Sequence, residues 1–242
     1  MKNVLLLGAS GNIAPHIIPG LEQHYRLRLA DIKNHPGGKP TMRVDMGDYG
    51  QVLEAARGMD AIMNWTVVRQ DPVASFAVSV RGAWHVMKAA AELGISKILH
   101  TGPEIIIPAY LHDHDIGDVP QAPGTVYYNL TKHLAMEICR AYARKYRIHT
   151  VCYQFSGLGA MPVTSAKKTD HPPFTIVYDD LVEACRLALE IREVPDYFQT
   201  FNMSSYLQQS KYLNDKARRI LGYEPKTNPQ QFYKRPVKHI ST

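Results

Sequence analysis

Tyr128 and Lys132 lie four residues apart in a stretch with helical character. Positions i and i+4 of a helix share a face, so Tyr128-Asn-Leu-Thr-Lys132 presents a phenol and an ammonium side by side. A free phenol titrates near ~10 and is a poor base at neutral pH. A fixed cation beside it favours the phenolate. Such a pair can take the proton of a substrate hydroxyl as that carbon is oxidised. Tyr127 competes for the role, but it points about 100° away around the helix and has no lysine at i+4.

A second constellation is suited to holding a ligand. Gly8-Ala-Ser-Gly11-Asn-Ile-Ala14 follows an apolar run and opens a helical pattern. Gly8 permits a tight turn, Gly11 lets the backbone approach a pyrophosphate, and Ala14 lets helix and strand pack closely. The helix N-terminus adds free N–H groups and a positive dipole end. Gly8, Ser10, Gly11, Asn12 and Ile13 are therefore candidate cofactor contacts. Asp31 follows about 20 residues after the turn, where a carboxylate takes the ribose hydroxyls of an adenosine. It would repel a 2′-phosphate, so NAD is expected rather than NADP, although Lys33 offsets part of that repulsion. Asp45-Met46 comes after a third short apolar run. Asp45 either holds the adenine amino group or caps the next helix. With a dinucleotide in place, Lys132 can also clamp the nicotinamide ribose, and the nicotinamide cation strengthens its effect on Tyr128.

These residues must be held by alternating strands and helices. Strands are predicted over residues 4–7, 25–30, 41–45, 61–65, 97–101 and 149–154. Helices are predicted over 13–24, 49–57, 73–93 and 127–145. That alternation implies crossover connections and a parallel sheet, and right-handed crossovers make it doubly wound. The expected fold is therefore an α/β Rossmann sandwich over residues 1–155. Residues 156–242, punctuated by Gly157, Gly159, Pro162, Pro172 and Pro173, read as a small substrate lobe that is not an independent domain. It carries a helix over 179–190, a strand over 198–203 and a helix over 213–221, stopped by Gly222 and Pro225.

Composition narrows the class. The chain has 242 residues, 45% hydrophobic and 21% charged, ordinary for a packed globular protein. Residues 3–8 are too short for a signal-peptide core, and no apolar stretch approaches the ~18 residues of a membrane span. Cys139, Cys152 and Cys185 have no CxxC spacing and read as reduced buried thiols, which points to the cytoplasm. The net charge of +6 is scattered, with one dense basic run at 234–238. It suits anionic small ligands better than nucleic acid. His112, Asp113, His114 and Asp115 alternate like metal ligands. They sit among glycine and proline and read as a solvated loop, so no metal is expected.

Taken jointly, Gly8-xx-Gly11-xx-Ala14, Asp31, Asp45-Met46, Tyr128-xxx-Lys132 and Leu221-Gly222-Tyr223-x-Pro225 resemble the short-chain dehydrogenase/reductase superfamily, in its extended epimerase/dehydratase branch. The short second half, Ala30-Asp31 and Tyr178-Asp179-Asp180 are most similar to uronate dehydrogenases, which oxidise a sugar acid with NAD. The resemblance implies a serine or threonine after the fifth strand, which here falls on Pro103. Thr101, two residues earlier and on the same strand face, is the expected substitute, with Glu104 a second polar candidate. It also implies small residues beside the nicotinamide, where this chain has Asn64, Trp65 and Thr66, and an asparagine where it has Ser79. Trp65 either stacks on the ligand or fills the core. Tyr153, Gln154 and Ser156 are expected to border the substrate, while Tyr178 to Asp180 can instead cap a helix. Arg81 and Trp84 lie on the helix that, in the branch, joins the Tyr128 helix in a dimer bundle. The implied activity is NAD-dependent oxidation of a small sugar, sugar acid or polyol. The alternatives are a nucleotide-sugar epimerase or dehydratase with recycled NAD, and an NAD-binding sensor without turnover.

Overall fold

The computed structural model describes residues 1–102, 116–161, 175–205 and 212–227. Strands β1 (Asn3–Leu7), β2 (Arg26–Asp31), β3 (Met42–Arg43), β4 (Ala61–Asn64), β5 (Lys97–Thr101) and β6 (His149–Phe155) alternate with helices α1 (Ala14–Leu21), α2 (Tyr49–Ala56), α3 (Pro72–Ser75), α4 (Gly82–Leu93) and α5 (Tyr127–Tyr146). Further along come β7 (Gly157–Gly159), β8 (Thr175–Val177), α6 (Tyr178–Glu190), β9 (Phe198–Met203) and α7 (Asp215–Leu221).

Seven strands form one sheet in the order β3-β2-β1-β4-β5-β6-β9, every pairing parallel. Chain progress reverses between β1 and β4, and in such sheets ligands bind at the carboxyl ends of the strands beside that switch. Period-2 alternation splits the strand side chains between two cores. Val4, Leu6, Met63, Leu99 and Val151 face one core with residues of α1, α6 and α7. Leu5, Leu7, Ile62, Ile98 and Cys152 face the other with residues of α2, α4 and α5. Strands buried on both faces explain the nearly continuous apolar runs. The doubly wound Rossmann class is as expected.

Three local features differ from expectation. The helix expected over 73–93 is interrupted by a π-helical stretch, Phe76–Arg81, of the kind that recurs at functional sites. The two three-residue strands β7 and β8 pair in a separate parallel sheet; runs that short carry no readable alternation. Finally, β9 is the seventh strand of the main sheet, paired with β6 from Thr150↔Phe198 to Phe155↔Met203, although it falls after residue 155.

Candidate active site

β1 ends in Leu7, and the chain turns at Gly8 with φ +84°. A Cβ there would lie 2.8 Å from the carbonyl carbon of Trp65, so this turn, pressed against the end of β4, requires glycine. Gly8 N–H donates to the Ala30 carbonyl at 2.9 Å, and Gly11 N–H to the Gly8 carbonyl at 3.1 Å. Helix α1 starts with Pro15 in its first turn and no side-chain cap, which leaves its N-terminal N–H groups free for an anion. Ala14 is buried against the sheet.

Asp31, the last residue of β2, organises the same turn. One carboxylate oxygen accepts from Ser10 N–H and the other from Lys33 N–H, both at 3.0 Å. A carboxylate offers about four lone-pair sites, so each oxygen keeps capacity for a ribose hydroxyl. Asp45 accepts from Gly47 N–H at 2.8 Å. The cap of α2 is Asp48, which accepts from Gln51 N–H, so the capping alternative for Asp45 falls away. Met46 is buried beside it and its carbonyl is 2.8 Å from His85 Nδ1. Arg81 reaches into this turn, where a Cβ on Gly47 would come within 2.7 Å of its guanidinium.

At the other end of the sheet's crest, α5 brings Tyr128 and Lys132 to the carboxyl end of β5. Lys132 Nζ donates to Thr101 Oγ1 at 2.9 Å, and both residues are buried. The Thr101 hydroxyl has a long 3.5 Å contact to the Asn64 carbonyl and is otherwise available to a ligand. Burial pushes the Lys132 ammonium down to about 8, with the nearby Arg69 charge acting in the same direction. His100, one residue before Thr101, is wholly buried. Burial, then Lys132, hold its imidazole well below the usual value, so it is neutral.

The two ends open into one cavity of about 930 Å³. Its walls include Gly8, Ser10, Gly11, Asn12, Ile13, Asp31, Asp45 and Met46 at one end, and Trp65, Thr101, Tyr128 and Lys132 at the other. Asn64 is not in the wall: its side-chain oxygen accepts from Thr66 N–H at 3.2 Å and Thr66 Oγ1 at 2.6 Å, shaping the loop after β4. Trp65 combines the two roles considered for it, stacking on Phe155 at 5.9 Å while lining the cavity. Its buried Nε1 has no partner among the described residues. Ser79 is buried in the π-helical stretch, also without a partner for its hydroxyl among the described residues.

Of the residues expected at the substrate, Ser156 lines the cavity. Tyr153 instead points into the core, its hydroxyl donating to the Ala184 carbonyl at 2.6 Å. Strand alternation sends it to the face opposite Cys152. Gln154 is bound by Gln121 at 3.2 Å. Tyr178 lines the cavity and stacks on His16 at 4.3 Å. Asp180 caps nothing in α6; its carboxylate takes Lys226 and Thr227 N–H. Pro103, Glu104 and residues 112–115 lie outside the described residues. Among the described residues no group of three or more His, Cys, Asp or Glu converges as a metal site, and no helix is long and apolar enough to cross a membrane.

One residue at this site carried no motif. Arg69, in the loop after β4, donates from Nη2 to Tyr128 Oη at 3.2 Å and lies over the Tyr128 ring at 4.8 Å. Tyr127 donates its hydroxyl to the Arg69 carbonyl, so the competing tyrosine holds the loop while Tyr128 faces the cavity. The available signal was positional: a cation directly after a strand's carboxyl end sits where such sheets bind ligands.

The NAD dependent epimerase/dehydratase family model matches residues 4–159. The chain belongs to that family. The resemblance drawn from Gly8, Asp31, Tyr128 and Lys132 named the same branch, and membership makes this an enzyme of the short-chain dehydrogenase/reductase type. Its sequence is 28% identical over 122 residues to the uncharacterized protein YtbQ of Bacillus subtilis (strain 168). That match covers 47% of this chain and about half, 48%, of the relative's length. Among solved structures, the glucuronic acid dehydrogenase of Chromohalobacter salexigens superposes with a TM-score of 0.80 at 22% identity, over 95% of this chain and 86% of that one. A mutant uronate dehydrogenase of Agrobacterium tumefaciens complexed with NAD superposes at 0.79 and 19% identity, over 96% and 87%. At such identities the likeness shows a shared fold.

The cavity's residues fit a dinucleotide. The glycine turn leaves no room for a Cβ, the α1 N-terminus is uncapped, and Asp31 has free acceptor capacity. The buried Trp65 N–H is unpartnered among the described residues and borders the same space.

Proposed function

We propose that this chain is an NAD-dependent oxidoreductase of a small sugar, sugar acid or polyol, with Tyr128, Lys132 and Thr101 as its proton-handling centre. The reading is carried by one observation: a single cavity joins the Gly8–Asp31 end to the Tyr128–Lys132 end. Gly8, Ser10, Gly11, Asn12 and Ile13 would hold the pyrophosphate, Asp31 the adenosine ribose, Asp45 and Met46 the adenine, and Trp65 and Lys132 the nicotinamide half. Asn64 contributes by shaping the loop. NAD, when bound, accepts the hydride of the substrate carbon.

The protein's own groups handle the proton. Tyr128 Oη takes it from the substrate hydroxyl, while the C–O bond gains double-bond character as the hydride leaves. Lys132 Nζ, held by Thr101 Oγ1, places a cation beside the developing charge. Thr101 keeps its hydroxyl proton for the substrate oxygen, the task the family assigns to the residue matching Pro103. Burial of this end excludes water and strengthens each of these interactions.

The cavity suits a small-molecule substrate. The exposed aromatic face of α4 and α5, with Trp84 and Tyr146, supports a homodimer, and three buried free cysteines support a cytoplasmic setting. The decisive experiment incubates the protein with NAD and a panel of sugars, uronic acids and sugar nucleotides, following absorbance of the reduced cofactor. Net NADH formation is expected, reduced roughly 10²–10⁴-fold in Tyr128→Phe. Product without net NADH would make the chain an epimerase or dehydratase instead. Tight NAD binding with no conversion would make it a sensor.

A further inference from the structure

The loop between β4 and α3 carries Arg69 onto the reacting end of the cavity and holds it there from both sides. The Tyr127 hydroxyl donates to its carbonyl, and its guanidinium donates to Tyr128 Oη at 3.2 Å. Both anchors are consecutive residues in the first turn of α5, so backbone and side chain of Arg69 are registered to the same helix that presents the proton-handling pair.

The charge at this end is unbalanced. Arg69 and Lys132 both line the cavity beside Tyr128, and Arg69 has no carboxylate within ion-pair distance among the described residues. The carboxylates in the cavity wall, Asp31 and Asp45, stand at the opposite end with the glycine turn. The mutual repulsion registers on Lys132, whose proton affinity Arg69 lowers in addition to the effect of burial. A bound nicotinamide cation would add a third positive charge. Such a site favours a ligand that brings a negative charge with it. A guanidinium presents five donors in a planar fork, and one is engaged with Tyr128; a carboxylate matches the remaining geometry.

We propose that Arg69 binds a carboxylate of the substrate next to the hydroxyl facing Tyr128, so that the enzyme selects hydroxy acids and sugar acids over neutral sugars. This rests on the oxidoreductase reading and narrows its substrate class. The sugar need not be phosphorylated, and no nucleotide handle is required at this end.

The test uses the full chain with saturating NAD and compares glucuronate, galacturonate and malate with glucose, galactose and glucose 6-phosphate. kcat/KM is measured for wild type, Arg69→Gln and Arg69→Lys, and binding of the same compounds is measured by calorimetry. The wild type is expected to prefer at least one acid over the neutral sugars in both readouts. Arg69→Gln should lower the acid-to-neutral ratio roughly 10- to 100-fold, the effect of losing a hydrogen bond to a charged group. Arg69→Lys should retain a larger share of it. An equal loss for acids and neutral sugars, or a wild type that prefers neutral or phosphorylated sugars, overturns the proposal. If the acids bind in an Arg69-dependent way but none reduces NAD, the carboxylate site stands and the oxidoreductase reading fails.

Discussion

Lys132 gives the residue scale its sharpest consequence, because an ammonium is buried there with Thr101 as its hydrogen-bond partner. Burial lowers it from the usual 10.5 to about 8. Below pH 8 the folded protein carries a charge in its interior that the unfolded chain carries in water, so this group opposes folding. Between about 8 and 10.5 the folded lysine sheds its proton while the unfolded one keeps it, and the opposition is relieved as pH rises. Lys132→Met is therefore expected to abolish turnover yet raise the unfolding free energy at pH 7, by on the order of 1–3 kcal/mol. The gain should shrink as pH climbs past 8; urea titrations at pH 7 and pH 9.5 measure both. A destabilised Lys132→Met protein at pH 7 would mean that the Thr101 bond outweighs the desolvation.

At the scale of elements, α5 does two jobs. Its first turn presents Tyr128 to the cavity, and its later turns lay Tyr142 and Tyr146 beside α4, where Trp84 Nε1 donates to the Tyr142 hydroxyl at 2.7 Å. Trp84 is 41% exposed and Tyr146 53% exposed. Large aromatic side chains left open on adjacent helices mark an association surface. Two copies meeting there would bury four helices and tie the geometry of both Tyr128 helices to the interface. Sedimentation velocity should show a dimer for the wild type and a monomer for Trp84→Glu, since a buried unpaired carboxylate costs several kcal/mol. A wild type that sediments as a monomer sinks the homodimer. The loop after β4 is the other element that matters: Asn64 and Thr66 shape it, Gly8 packs beneath it, and Arg69 emerges from it onto Tyr128.

For the whole molecule, the question is where the Rossmann unit ends. The core under α1 is completed by Leu181, Ala184 and Cys185 of α6, Phe201 and Met203 of β9, and Leu221 and Tyr223 after them. β9 also covers the edge of β6. A fragment of residues 1–155 would expose one face of the sheet and a free strand edge, the arrangement that aggregates. It is expected to be insoluble or to unfold without a cooperative transition by circular dichroism, whereas the full chain unfolds in one step. A fragment that melts cooperatively would instead make residues 156–242 a separable lobe.

Much of this protein is legible in one dimension because it depends on local periodicity and backbone chemistry. The strand–helix alternation, the glycine turn, Asp31 at the end of β2 and the i, i+4 spacing of Tyr128 and Lys132 all follow from rules acting over a few residues. The π-helical interruption before α4 and the pairing of β9 with β6 do not, since both depend on what a segment packs against. Tyr153 was misplaced because strand alternation, read without knowing which face holds the ligand, leaves two answers. Thr101 gained a defined role only when Lys132 was brought to 2.9 Å from it across 31 residues of chain. Arg69 belongs to no motif, and its place on Tyr128 is set by a contact spanning 59 residues. Spacing along the chain determined the fold class, the family and the reacting pair. Tertiary packing decided which charges surround that pair, because electrostatics depends on distance in space and burial, and neither is a property of sequence order.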